Sequence, residues 1–368
     1  MAPVEIWSLA VLLAVGCGNS RDPTPSPTKP ARTAITRGAV GWIDADADHV
    51  YFTVPDHETS STGLARAPGG GGATQTLAVL ASPTVVSSFT LDDNTVYLAL
   101  ERHVVNRQLD AASRTEGIGI VSVPKSAAGG AAAPRTLAEG TGLVVDGLAV
   151  DDNHVYYGVW LDERRHELRA IPKRGGVERV LHASASPGDE VTPHRHDRDA
   201  ARGSLLAVDG RHLFWVRHED HQIALAMFDK VTGAQVSEVT TPGLDPRKLA
   251  LSSLTALVLF DDALRELGKR GDATDPRTGT SESRLMHRRL VTPDLAIHDE
   301  LVVLSDRADK GSVVAFDLGA DTMSTLVDGE FRPGAVAISA AGIYVVEDGV
   351  HGSAIDTIWR FERSPAKK

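Results

Sequence analysis

One short pattern recurs along the chain at near-regular intervals, and it restricts the fold more than any other feature. Its clearest copy, residues 147–182, reads GLAVDDNHVYYGVWLDERRHELRAIPKRGGVERVLH. The opening returns as GWIDADADHVYFTV from Gly41, SFTLDDNTVYLAL from Ser88, SLLAVDGRHLFWV from Ser204 and AVAISAAGIYVVE from Ala335. Two weaker copies are LALSSLTALVLF from Leu249 and LAIHDELVVLSD from Leu295. Taking Tyr156 as the anchor, the matching residues are Tyr51, Tyr97, Phe214, Leu257, Val302 and Tyr344. Successive gaps are 46, 59, 58, 43, 45 and 42 residues. Short strands repeating every 40 to 50 residues or so are the mark of a β-propeller blade, because one unit cannot bury its apolar faces without neighbours.

Within the unit four strands are readable. GLAV is a short apolar strand. Asp151-Asp152-Asn153-His154 is a tight turn, built from residues that bond their own backbone and tolerate left-handed geometry. HVYYGVW is rich in β-branched and aromatic residues and forms the second strand. HELRAIP alternates as the third, Lys173-Arg174-Gly175-Gly176 turns the chain, and VERVLHA is the fourth. The last unit ends after DTIWRFER without a fourth strand. Residues 31–36 (ARTAIT) lie ahead of the first unit. They are expected to supply the missing outer strand and so close the ring, pairing an otherwise exposed edge. The expectation is all-β: a propeller of about seven four-stranded blades over 31–364, with six or eight as the alternatives. The fifth copy is weakest, since its downstream strands are obscure.

Composition sets the function classes aside. The 368 residues carry 38 Lys and Arg against 49 Asp and Glu, a formal charge of −11, so a nucleic-acid partner is not expected. No apolar run reaches roughly 18 residues, so no membrane-spanning helix is expected. One cysteine, Cys17, excludes an intramolecular disulfide framework.

That cysteine ends an apolar stretch, Ile6 to Gly16 (IWSLAVLLAVG), of signal-peptide length. The segment Ala14-Val15-Gly16-Cys17 resembles the lipobox of bacterial lipoproteins. The resemblance implies cleavage of residues 1–16 as a signal peptide and lipidation of Cys17. Residues 17–30, the lipidated cysteine and a stretch rich in Pro, Ser and Thr, would form an extended tether. The repeat region, about 330 residues, resembles bacterial, especially myxobacterial, β-propeller lipoproteins with an AVDD-x-x-VYW core, which are loosely similar to YWTD and NHL propellers. It implies an exported, cell-envelope protein anchored through lipid only.

Chemistry is sparse. Asp44-Ala45-Asp46-Ala47-Asp48 looks like the start of an EF-hand, but the positions for its glycine and bidentate glutamate hold His49 and Pro55. Repeat alignment places Asp46 with Asp92, Asp151 and Asp209, as a turn residue. Gly69–Gly72 lacks the Lys-Ser/Thr of a phosphate loop and reads as a hairpin. Three stretches exceed the blade pattern or have loop composition: 102–116, 186–202 and 268–283. The second contains His194 and His196, and a second His/acid run holds His218 and His221. Imidazole with carboxylate suits a divalent metal, which makes these four the weak metal candidates. Tyr97, Tyr156, Tyr157, Trp160 and Trp215 read as blade core. With no catalytic constellation and no cofactor expected, the reading is a monomeric, non-catalytic binding or scaffold module for an unknown protein or small molecule. The alternative is a propeller enzyme, similar to streptogramin lyase, using metal-binding loops on one face.

Overall fold

The computed structural model describes residues 31–363 apart from 57–58, 60, 83, 105–113, 128–131, 163, 186–202, 220–221, 243–245, 254, 261–262, 269–283, 289, 291–293, 308–310, 330 and 350–354. Every regular element in it is a strand. No helix among the described residues is long and apolar enough to cross a membrane.

The strands form seven separate four-stranded antiparallel sheets, the blades of a β-propeller. Blade 1 contains β2 (Ile43–Ala45), β3 (His49–Asp56), β4 (Ser61–Pro68) and β5 (Gln75–Leu80). Blade 2 contains β6 (Thr84–Leu91), β7 (Thr95–Val104), β8 (Arg114–Pro124) and β9 (Arg135–Gly140). Blade 3 contains β10 (Val144–Val150), β11 (His154–Trp160), β12 (Arg165–Pro172) and β13 (Arg179–Ala185). Blade 4 contains β14 (Leu206–Val208), β15 (His212–Glu219), β16 (Gln222–Asp229) and β17 (Gln235–Pro242). Blade 5 contains β18 (Pro246–Leu251), β19 (Thr255–Phe260), β20 (Ala263–Gly268) and β21 (Arg284–Arg288). Blade 6 contains β22 (Asp294–His298), β23 (Leu301–Asp306), β24 (Ser312–Asp317) and β25 (Thr322–Asp328). Blade 7 contains β26 (Pro333–Ser339), β27 (Gly342–Glu347), β28 (Asp356–Phe361) and, as its outer strand, β1 (Arg32–Gly38).

The innermost strands touch in sequence, β2 to β6, β10, β14, β18, β22 and β26, and β26 touches β2, which closes the ring. Strand β1 runs antiparallel to β28, from Arg32 opposite Phe361 to Gly38 opposite Asp356, with a bulge at Ile35. The expected closure by residues 31–36 is therefore present, with the strand starting one residue later and running two residues further than the sequence pattern marked. The long stretch at 102–116 is in part strand: His103 and Val104 pair with Thr115 and Arg114, extending β7 and β8.

Burial explains why the second strand of each unit carries the repeat signal. It is packed on both faces by neighbouring blades, so its side chains are buried continuously: Val155 to Trp160, Thr255 to Phe260. Outer strands are mostly exposed, as in β9, and lack a constraining pattern. Core clusters lie between blades. Tyr97 and Tyr157 share one, and Tyr156 and Trp215 another.

The recurrent aspartate organises the turn and also fastens the blades. Asp46 Oδ1 accepts the backbone N–H groups of Asp48 (2.9 Å) and His49 (2.8 Å). Its Oδ2 accepts the Tyr51 hydroxyl at 2.9 Å and Lys125 Nζ of the next blade at 2.7 Å. Blade 2 repeats this with Asp92, Tyr97 and Lys173 of blade 3 (Lys173 Nζ at 2.6 Å). Blade 3 repeats it with Asp151, Tyr156 and Lys230 of blade 4 (Lys230 Nζ at 2.8 Å). In blade 4 Asp209 still caps the turn through Arg211 and His212, but Phe214 offers no hydroxyl. At the closing seam, Ser339 replaces the aspartate and Gly69 the lysine. A Cβ on Gly69 would lie 2.6 Å from the Tyr344 hydroxyl, so the tyrosine occupies the space. Tyr156→Phe copies the blade 4 arrangement. It is expected to lower stability by about 1 kcal/mol, the net value of one hydrogen bond, in urea denaturation.

Candidate functional site

The ring has two unlike ends. In blade 3, Val144, Trp160, His166 and Ser184 line up across the four strands at one end, and Val150, Val155 and Ile171 near the other. The connections β7–β8 (105–113), β13–β14 (186–202) and β15–β16 (220–221) all open at the first end, here the loop face. The aspartate turns open at the second, the turn face. So does the β20–β21 connection (269–283), since Gly268 pairs with Thr255 at the start of β19. Arg32 also joins the ring there, opposite Phe361, which pairs with Ile343 at the start of β27.

Of the metal candidates, His194, His196 and His221 lie outside the described residues, as does Cys17. His218 is on β15, opposite Ile223. Topology brings the connections that carry these histidines to the same end of adjacent blades. Among the described residues no group of three or more His, Cys, Asp or Glu is placed to hold a metal ion. Asp46, the centre of the calcium-like run, has its oxygens taken by the turn, Tyr51 and Lys125. Gly69–Gly72 forms a hairpin turn, with Gly71 N–H bonding the Pro68 carbonyl.

The innermost strands carry polar groups that lie apart from the histidine candidates. Asp44, opposite Tyr51, is the one carboxylate at its register position. The other blades place Thr90, Ala149, Ala207, Ala250, Ile297 and Ala337 there. Burial drives the Asp44 carboxyl up to about 6, although the Ala45 N–H and the charges of Lys248 and Lys125 pull it back. Lys248 Nζ reaches Asp294 Oδ1 at 2.9 Å, and Asp294 Oδ2 accepts Val336 N–H at 2.7 Å. Blades 5, 6 and 7 are thus joined across their inner strands, in the half of the ring where the Asp–Tyr–Lys arrangement is incomplete. Lys248 lies over Gly203, where a Cβ would stand 1.9 Å from its Cγ.

A second polar cluster sits between blades 3 and 4. His166 is 1% exposed, between the rings of Trp160 (4.9 Å) and Trp215 (5.1 Å, edge-on). Burial, with the nearby charges of Arg217 and His182, lowers its pKa to about 4, so the ring is neutral at pH 7. Asp146 Oδ2 accepts Trp160 Nε1–H at 3.0 Å, and its Oδ1 lies by the Trp215 indole nitrogen. Burial pushes this carboxyl up to about 7 against both indoles. Arg217, also buried, pairs with Glu238 at 2.5 Å.

Asp146 therefore makes the fold sensitive to pH. A raised folded pKa means the native state keeps a proton that the unfolded chain releases, so this contribution is full at acid pH and is lost as pH rises toward 7. His166 runs the other way, losing stability as pH falls from 6.5 toward 4. Asp146→Asn removes only the first. Between about pH 5 and about pH 8 its stability relative to wild type is expected to shift by about 2 kcal/mol in favour of the variant. Urea midpoints at the two pH values check this; an unchanged difference refutes it.

No family model and no curated protein matches the chain. Solved structures do match. A chain of the mitotic checkpoint complex aligns with a TM-score of 0.56 and 12% identity, over 97% of this chain and 99% of that one. The β-propeller domain of Cps50 (Swd1) from Myceliophteria thermophila gives 0.55 and 12%, over 89% and 99%. A prolyl endopeptidase gives 0.54 and 13%, over 86% of this chain and 46% of that one. At such identities the likeness is one of fold.

Proposed function

We propose that the protein is an exported lipoprotein, held at the cell envelope through Cys17, whose propeller is a non-catalytic binding module with its loop face turned outward. One observation carries the reading. The longest connection between strands, 186–205, opens on the loop face together with 105–113, whereas the segment that leads to Cys17 joins the ring on the turn face. A tether at the turn face leaves the loop face free, and function on a rigid scaffold concentrates in such loops. The partner is a protein or small molecule of the envelope, and the module acts as a monomer.

Photo-cross-linkers placed in cells test this. Positions in 105–113 and 186–202 are expected to yield a discrete partner, and Val177 and Val231, exposed on the turn face, are not. Deleting 187–201 is expected to abolish the product while leaving the urea midpoint within about 0.5 kcal/mol, because long surface loops contribute little to stability. Equal labelling from both faces, or a mature chain without acyl groups on Cys17, overturns the reading. The metal-dependent alternative rests on the shared end of the β13–β14 and β15–β16 connections. Stoichiometric divalent metal on the purified chain, lost in His194→Ala/His196→Ala, would put that reading first.

A further inference from the structure

The closing seam holds a groove of about 450 Å³, within the range that takes a small organic ligand. One wall is the second half of β1 with residues 38–40, and the other is the face of blade 1. Phe52, Val54 and Ala65 form an apolar floor, and Thr74, Thr76 and Arg37 stand on the rim. The space exists because the residues facing it are small. Gly63 and Ala65 pair with Val54 and Phe52. At the same two register positions blade 3 carries Glu167 and Arg169, and Arg169 pairs with both Glu167 and Glu178. The two walls are joined above the floor by the Thr36 and Thr74 hydroxyls, 2.9 Å apart.

We infer that this groove binds a small amphipathic acid, with its apolar body on Phe52, Val54 and Ala65 and its carboxylate at Arg37. The body fits because the floor is apolar and burial of such surface drives association. The sign of the head group comes from Arg37. It is exposed and has no ion pair among the described residues, so its guanidinium is open to a bidentate carboxylate. Asp56, the carboxylate on the opposite lip, accepts the Thr59 hydroxyl at 2.6 Å but keeps its charge, which repels a second carboxylate and so places the acid head group at the Arg37 lip. The chain as a whole carries a charge of −11, so its long-range field favours cations. Preference for an anion would therefore report the local site. The site does not depend on export or lipidation.

The test titrates the full chain, carrying Cys17→Ser so that no acyl group is attached, with octanoate, octanol and octylamine, followed by ligand-observed NMR. Octanoate is expected to bind about threefold to fivefold more tightly than octanol, the scale of one exposed ion pair, and octylamine more weakly than both. Arg37→Gln should bring octanoate to the level of octanol and leave octanol unchanged. Gly63→Leu, where a Cβ has ordinary room at 3.7 Å from Val54, should weaken all three at least tenfold by filling the groove. Val79→Trp, at the exposed rim, serves the same purpose if the first variant does not fold. No binding, equal binding of octylamine and octanoate, or binding unaffected by both filling variants overturns the assignment.

Discussion

Deleting residues 31–38 is expected to leave a chain without a cooperative unfolding transition. Strand β1 is the only described chain segment that pairs with the outer edge of β28, and Ile35, 4% exposed, is part of the core cluster that joins blade 7 to blade 1. Removing the strand uncovers Ile358 and leaves the ring fastened at that junction by inner strands alone. Arg32 also leaves, with its guanidinium carbon 4.4 Å from the centre of the Trp359 ring. Ile35→Ala isolates the packing share and is expected to cost about 3 kcal/mol, the usual range for a buried aliphatic truncation. A peptide of the sequence Arg32–Gly38 added to the deleted chain should restore a sigmoidal urea curve. A deletion that unfolds with the wild-type midpoint and slope would show that closure lies elsewhere.

Asp151→Ala is expected to cost about 3 kcal/mol, the largest effect of any single turn residue. The carboxylate accepts Asn153 and His154 N–H, the Tyr156 hydroxyl and Lys230 Nζ. Its removal opens the turn and strands a half-buried lysine of the next blade. Burial acts to raise the Asp151 pKa, but Lys230, the two backbone N–H groups and Tyr156 together outweigh it and hold the carboxyl down at about 2. A depressed carboxyl stabilises the native state above its unfolded pKa and ceases to do so as pH falls through its folded pKa. The variant's deficit should therefore be full at neutral pH and shrink from about pH 4 downward. Asp46 and Asp92, whose pKa values are also lowered against the cost of burial, add to the same acid transition. A deficit that persists unchanged at low pH would show that turn geometry rather than charge carries the effect.

Blade number, strand order and closure were legible because they rest on local pattern. The anchors Tyr51 to Tyr344 are themselves fully buried on strands packed on both faces, which keeps these positions aromatic or aliphatic. Blade 5 was hard to read because its outer strand β21 follows the third only after residues 269–283, and an exposed outer strand needs no apolar code. The lysines of the interblade fastening were visible as Pro124-Lys125, Pro172-Lys173 and Asp229-Lys230, each ending a third strand. Their partners lie one blade back, a relation that only the ring creates. Asp44 shows in the sequence only as part of the Asp44–Asp48 run and Asp146 carries no mark, since burial around an axis has no signature in a single strand. The seam groove was the least legible, because β1 and blade 1 meet only after the ends of the chain have joined. For His194, His196, His221 and Cys17, composition and spacing remain the basis of the reading.

Pairing Arg32 with Phe361 also sets a schedule for biogenesis. At about 5–20 residues per second, β1 waits from roughly fifteen seconds to a minute after its own synthesis before its partner exists. During that interval six blades can stack, but the first strand is an unpaired edge, the kind that recruits other chains. Its sequence, RTAITRG, has an arginine near each end and a single large apolar residue. Charge on an edge discourages adventitious pairing, so the same residues that later close the ring keep the nascent chain from zipping onto its neighbours.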